Sequence, residues 1–404
     1  MSSVSSTQAC IAGGGPAGLM LGLLLARAGV DVEVLEKHAD FLRDFRGDTI
    51  HPSTLEVMHE LGLLDALLKL PHFEARRLNV RMGETALAVD FAHVPTRCKF
   101  IAFMPQWDFL DFLADEAVKY PNFILRRRAE VTALIEEGDR VVGVRATTPQ
   151  GELELRSDLV VGADGRHSVV RERAGFESDE LGAPMDVLWF RLPRQPGDPE
   201  DPQGLFRSGA IFIMLNQGPH WQCGYVIHKG AFERIRAAGL DAFKSRIVDL
   251  EPLLAGRVNE LRDWDQVKLL TVRVDRLRQW YRAGVLCIGD AAHAMSPIAG
   301  VGINLAVHDA VATANLLADP LREHRLSVED LARVQARREW PARVTQRLQL
   351  VMQNRVVSAA LAETGTFSPP LAIRLMARFP LLQRIPGRLV GVGVRPEHVR
   401  SREG

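Results

Sequence analysis

The segment Ala9-Cys10-Ile11-Ala12-Gly13-Gly14-Gly15-Pro16-Ala17-Gly18 decides the fold. Four residues of buried-strand character run straight into three glycines, and a helical run, Leu19 to Ala28, follows. A second strand, Val30 to Leu35, closes a β-α-β unit and ends at Glu36. The spacing Gly13-x-Gly15-x-x-Gly18 has a steric logic. The first glycine permits the tight turn, the second lets backbone approach a pyrophosphate, and the third allows close helix–strand packing. The helix start then offers unpaired N–H groups and the positive end of its dipole to an anion. Glu36 stands where a carboxylate accepts the ribose hydroxyls of an adenosine. An ordinary glycine turn accounts for the triplet alone, but not for strand, helix and acid together.

Two more apolar strands end in Gly/Asp turns: Asp158 to Gly162 before Asp164-Gly165, and Gly284 to Gly289-Asp290. A carboxylate at the carboxyl end of a parallel strand points into the ligand crevice of an α/β sheet, where a ribityl chain would find it. Taken singly, each also fits a carboxylate that caps a helix. Helical spacing recurs over 52–70 and 105–120, and again from about Ile303 to Leu317. Short, partly alternating runs at 77–82, 87–91, 187–192, 211–215 and 222–228 suggest an antiparallel sheet. Between them, the proline-rich stretch Pro193 to Gly204 reads as an exposed connection. The expected architecture is α/β. A Rossmann-like nucleotide domain is assembled from 1–75, 101–180 and 271–325, a mostly antiparallel β substrate domain from 76–100 and 181–270 is inserted in it, and 326–404 form a C-terminal helical segment.

Composition narrows the function. A chain of 404 residues is long enough for two domains. Fifty cationic and fifty acidic residues cancel, which argues against nucleic acid as a partner. No run of about 18 apolar residues spans a bilayer. Four cysteines, at 10, 98, 223 and 287, form no pair motif or ligand cluster, so no metal site is expected and the reducing cytosol is the default location. The N-terminus lacks the basic start and apolar run of a secretory signal.

The three motifs in this order resemble the single-component FAD-dependent aromatic hydroxylases, the group of para-hydroxybenzoate hydroxylase and the polyketide hydroxylases. The likeness runs from residue 9 to about 320. It implies tightly held, non-covalent FAD, with Gly13, Gly15 and Ala17 at the pyrophosphate, Glu36 at the adenosine ribose, and Pro16, Gly18, Lys37 and Arg46 as further cofactor contacts. Gln106 would flank the flavin, with Val131 nearby; Asp164 would serve FAD and pyridine-nucleotide binding, and Gly289-Asp290 the ribityl chain. In Ser296-Pro297-Ile298-Ala299-Gly300-Val301-Gly302-Ile303-Asn304, Pro297 would face flavin C4a. The helix starting near Ile303 would aim its N–H groups at the flavin edge that becomes anionic on reduction. Relatives commonly carry glycine where this chain has Ile298-Ala299. The resemblance further implies NAD(P)H as a transient reductant, O2 as co-substrate, and oxygen transfer to a ring carbon through a flavin C4a-hydroperoxide.

On the substrate side, Trp189, Phe212, Met214, Trp221 and Tyr225 fall in the expected sheet and would form an aromatic pocket; core packing explains each singly just as well. His220 and His228 are acid/base candidates, whereas His293 reads as structural support. The expected activity is hydroxylation of a flat aromatic or polyketide-like small molecule by a monomer or homodimer. An FAD-linked reductase or dehydrogenase of an isoprenoid or other lipid, and a non-catalytic FAD-binding module, stay open beside it. The C-terminal stretch, with Leu375, Phe379, Leu381 and Leu382, would cap the pocket, form a dimer surface or touch a membrane, with capping preferred.

Overall fold

The computed structural model describes residues 3–42, 48–362 and 367–404. An eight-stranded sheet has at its centre the parallel strands Phe123–Arg127, Val32–Glu36, Ser3–Ala12, Gly151–Gly162 and Val285–Cys287. Their register places Ala12 beside Leu35 and Gly162, and Gly162 beside Cys287. The strand ends that precede the three motifs are therefore neighbours, although 275 residues separate the first from the last. The Ala163 amide donates to the Ala12 carbonyl at 2.8 Å and the Ile288 amide to the Gly162 carbonyl at 3.0 Å, continuing the pairing into the loops. Helix Pro16–Arg27 packs against helix Gly302–Arg322.

A seven-stranded sheet draws on two separated stretches, 77–90 and 185–270. One of its faces carries Phe190, Phe212, Trp221 and Tyr225, packed with Phe243 and Ile247 of helix Leu240–Leu250. Phe243 meets Tyr225 edge-on at 5.3 Å and Phe190 at 5.6 Å. The opposite face looks back toward the first sheet.

The local outcome departs from expectation in two places. Helical spacing over 52–70 yields two helices, Pro52–Glu60 and Leu64–Leu67. The Gly62 amide turns back to the His59 carbonyl and the Leu63 amide to the Met58 carbonyl, both at 2.9 Å, which ends the first helix. The stretch after Pro193 is irregular but anchored. Its Asp198 is buried, receives both terminal nitrogens of Arg257 at 2.5 and 2.8 Å, and accepts from Trp221 Nε1 at 3.1 Å. Arg257 holds the Asp198 carboxyl down to about 2.

A second buried ion cluster ties the third motif to the C-terminal helices. Asp309, fully buried on helix Gly302–Arg322, accepts from the Gly289 amide at 3.0 Å, His293 Nε2 at 2.6 Å and Arg338 Nε at 2.9 Å. Burial alone would raise its carboxyl, but His293 and Arg338 hold it at about 2. Arg338, on helix Val328–Met352, also reaches Glu397 at 3.3 Å. All four cysteines are free and buried. The Ile298–Arg322 stretch is long and apolar enough to cross a membrane, but 83% of its most apolar 18-residue window is buried in the protein, as befits a core helix.

Asp309→Ala is expected to cost about 3–5 kcal/mol, because it strands Arg338 in the interior. A carboxyl held at about 2 keeps its stabilising charge at every pH above the ordinary carboxylate range and loses it only as pH falls toward 2. The deficit in urea unfolding is therefore expected to stay constant between pH 8 and pH 5.

Candidate functional site

The motif loops open onto a cavity of about 1030 Å³ that runs from the carboxyl end of the parallel sheet to the free face of the second sheet. Gly13, Gly15, Pro16 and Ala17 border it, with Glu36, Lys37 and Val131 at one end. Asp164, Asp290 and Gln106 follow, and then Pro297, Gly302, Ile303 and Asn304. Arg46 lies outside the described residues.

Close backbone approach explains the glycines. Gly13 has φ +106°, and a Cβ there would sit 2.5 Å from the Ala163 carbonyl oxygen. A Cβ on Gly18 would lie 1.9 Å from the Gly13 carbonyl oxygen. Gly18 does not border the cavity; it lets the helix seat against the turn. Gly289 is likewise away from the cavity, its amide given to Asp309. Both depart from the expectation of direct cofactor contact and act through packing.

The residues suit a dinucleotide. Helix Pro16–Arg27 begins with no side-chain cap and no acidic residue in its first turn, which leaves its amides for an anion. Glu36 accepts from the Gly14 and His38 amides, both at 2.9 Å, which fixes its carboxylate beside the cavity. Asp164 caps the short helix Val169–Arg173 through one oxygen, at 2.8 Å from the Val169 amide; its other oxygen is buried without a partner. Burial raises the Asp164 carboxyl above its ordinary value. Asp290 pairs with Arg166 at 3.2 Å, which joins the second motif to the third.

The loop before helix Gly302–Arg322 is held from behind. Gln349 accepts from the Ser296 amide at 3.2 Å and donates to the Ser296 and Ile298 carbonyls at 3.0 and 3.1 Å. Gln353 donates to Ser296 Oγ at 2.8 Å, and Gln346 to the Asp275 and Ala294 carbonyls. These three buried glutamines follow one another at helical spacing, a signal that the sequence itself carries. Ala299 adopts φ 64°, a left-handed conformation that an alanine tolerates poorly and that glycine takes freely. Asn304 Oδ1 accepts from Ser53 Oγ at 2.9 Å and Thr54 Oγ1 at 2.5 Å, which sets the helix start.

On the free face of the second sheet, Val187, Trp189, Ile211, Ile213, Leu215 and Gln222 line the cavity. Strand alternation puts Phe212, Met214, Trp221 and Tyr225 on the other face, in the core with helix Leu240–Leu250. Of the five expected pocket residues, only Trp189 borders the cavity. His228 meets the Leu361 carbonyl at 3.0 Å and does not border it; nor does His220, which burial and Arg191 make less basic. The titratable group that does line this end is Asp48. Its carboxylate accepts from Gln217 Nε2 at 3.3 Å, from the Gln222 side chain and from the Gln106 amide. Burial pushes it up to about 6, against the lowering effect of those hydrogen bonds and of Arg191.

Residues 6–347 match the FAD binding domain family. The chain belongs to this family. It is 34% identical over 405 residues to 6-methylpretetramide 4-monooxygenase of Streptomyces rimosus, covering 98% of this chain and 94% of that one. It is 28% identical over 325 residues to dialkyldecalin synthase of Streptomyces rugosporus, covering 76% of this chain and 64% of that relative. The crystal structure of pqsL, a probable FAD-dependent monooxygenase from Pseudomonas aeruginosa, shares the fold with a TM-score of 0.74 at 22% identity, covering 89% of this chain and 98% of that one. This member of the FAD-binding-domain family is an FAD-dependent monooxygenase; NAD(P)H as reductant and O2 as co-substrate are typical of such enzymes.

Two substitutions probe the FAD site. Glu36→Arg is expected to strip FAD from the purified protein, read as loss of flavin absorbance, because it removes the acceptor and adds a cation. Ala299→Gly is expected to raise the thermal stability of the FAD-loaded protein by up to about 1 kcal/mol, the left-handed strain relieved less the added freedom of the unfolded chain.

Proposed function

We propose that this enzyme hydroxylates a flat, apolar aromatic molecule of polyketide type, seated between the second sheet and the C-terminal helices. The carrying observation is the cavity. Beyond the motif loops it is walled by Val187, Trp189, Ile211 and Ile213 on one side and by Ile373 and Met376 on the other, with Asp48 and Gln222 among its few polar groups. The likeness to a 6-methylpretetramide monooxygenase over nearly the full length of both chains supports a fused-ring substrate. Bound FAD would supply reduction by NAD(P)H and activation of O2.

The chain's own part is orientation, exclusion of water and control of one proton. The apolar walls hold the ring and keep the reacting carbon dry. Gln349 and Gln353 fix the loop that supports the flavin. Asp48 takes the proton of a substrate hydroxyl, which enriches the ring carbons ortho and para to it. Its partners, the Gln106 amide and the Gln217 and Gln222 side chains, hold it in place, and Arg191 favours its ionised form. A group near 6 is protonated and idle below that pH and competent above it. We place the enzyme in the cytoplasm.

Substrate-dependent NAD(P)H oxidation with labelled O2 tests the reaction. One labelled oxygen in the product is expected; a product without label, or flavin that no reductant reduces, overturns it. For Asp48, kcat/KM is expected to rise with pH through about 6. Asp48→Asn keeps an acceptor for the Gln106 amide but cannot take a proton. It is expected to lower kcat about a hundredfold and abolish that limb of the profile.

A further inference from the structure

The zero net charge of the whole chain hides an uneven distribution. Between Trp340 and Pro396 there are eight arginines, no lysine and a single acid, Glu363, so the rest of the chain carries the compensating negative charge. Two eight-residue helices in this stretch, Leu371–Arg378 and Arg384–Gly391, interleave arginines with large apolar residues. Their inward residues, Ile373, Met376 and Leu389 among them, line the substrate cavity. The outward residues of these helices and of the link between them are bare: Leu381 is 70% exposed, Leu371 67%, Ile385 58% and Phe379 52%. Arg374, Arg378, Arg384 and Arg388 are exposed beside them, and among the described residues none of the four has an ion-pair partner.

We infer that this face docks the enzyme on an anionic lipid bilayer, with the apolar side chains entering the headgroup boundary and the arginines at the phosphates. An outward face that interleaves exposed Leu, Ile and Phe with arginines suits that boundary, the apolar side chains reaching in while the long arginine stems keep their charged ends at the phosphates. Each arginine near an anionic surface contributes about 1 kcal/mol, and the opposite charge on the rest of the molecule turns this face toward the lipid. A second copy of the chain fits poorly, because a two-fold interface would bring two arginine-rich faces together. Because the same helices wall the cavity, the docked enzyme takes an apolar substrate from the bilayer side. The docking is independent of which ring system that substrate has.

The test is sedimentation of the FAD-loaded enzyme with vesicles of phosphatidylcholine alone and of phosphatidylcholine with one quarter phosphatidylglycerol, at low and physiological salt. Binding is expected only to the anionic vesicles and is expected to weaken with salt. Arg384→Gln and Arg378→Gln are each expected to weaken it about fivefold. Leu381→Ser with Ile385→Ser is expected to weaken it at least tenfold, with flavin content and NAD(P)H oxidation in detergent-free buffer unchanged. Absence of binding to anionic vesicles overturns the inference, as does binding that the arginine and the apolar variants both leave intact. A dimer in light scattering that Leu381→Ser dissociates also overturns it, by assigning the face to a second copy; capture of an acidic carrier protein in place of vesicles would do the same.

Discussion

One buried carboxylate organises the junction on which the site depends. Asp309 receives the Gly289 amide, His293 and Arg338, so a single side chain joins the third motif, the long core helix and the C-terminal helix. Each partner alone would be costly to bury; together they satisfy both carboxylate oxygens. Arg338 passes the constraint to Glu397. The Glu397 amide donates to His308 Nδ1 at 3.2 Å, which leaves Nε2 to donate to Ser53 Oγ at 3.1 Å, and Ser53 donates to Asn304. Burial keeps His308 neutral, lowered to about 3, as that relay requires. The last residues of the chain are thus coupled to the start of the helix that borders the cavity.

The nucleotide half was legible because its signals are local. Gly13, Gly15, Gly18 and Glu36 specify a turn and its ribose acceptor within one β-α-β unit, and strand ends at Ala12, Gly162 and Cys287 only have to be parallel for the motifs to meet. The second sheet was not legible in the same way. Its strands are apolar on both faces, one against helix Leu240–Leu250 and the other against the cavity, so period two marks no interior. The bulkiest side chains of these strands, Phe212, Met214, Trp221 and Tyr225, mark the other face, because bulk is what a helix–sheet core takes up. Asp48 was missed because its burial comes from Gln106, Gln217 and Gln222, distant in sequence.

The C-terminal helices carry more than a cap. Gln346, Gln349 and Gln353 do for the loop before helix Gly302–Arg322 what a sheet edge would do for a strand, supplying donors and acceptors to a backbone that cannot pair with itself. The helix widens to a π turn at Gln353–Val357, just where the last of these side chains must reach Ser296. Pairing Ala299 in a left-handed conformation with this external support shows how the loop keeps a shape that its own sequence resists.

The four buried cysteines take on a chemical meaning beside such a cofactor. The thiolate, not the thiol, reacts with peroxides. Burial raises Cys10, Cys98, Cys223 and Cys287 above the ordinary thiol value, and all four stay protonated and shielded at neutral pH. A peroxide therefore meets no activated sulfur on this protein: the fold that hides its thiols for packing reasons also withholds them from thiolate chemistry.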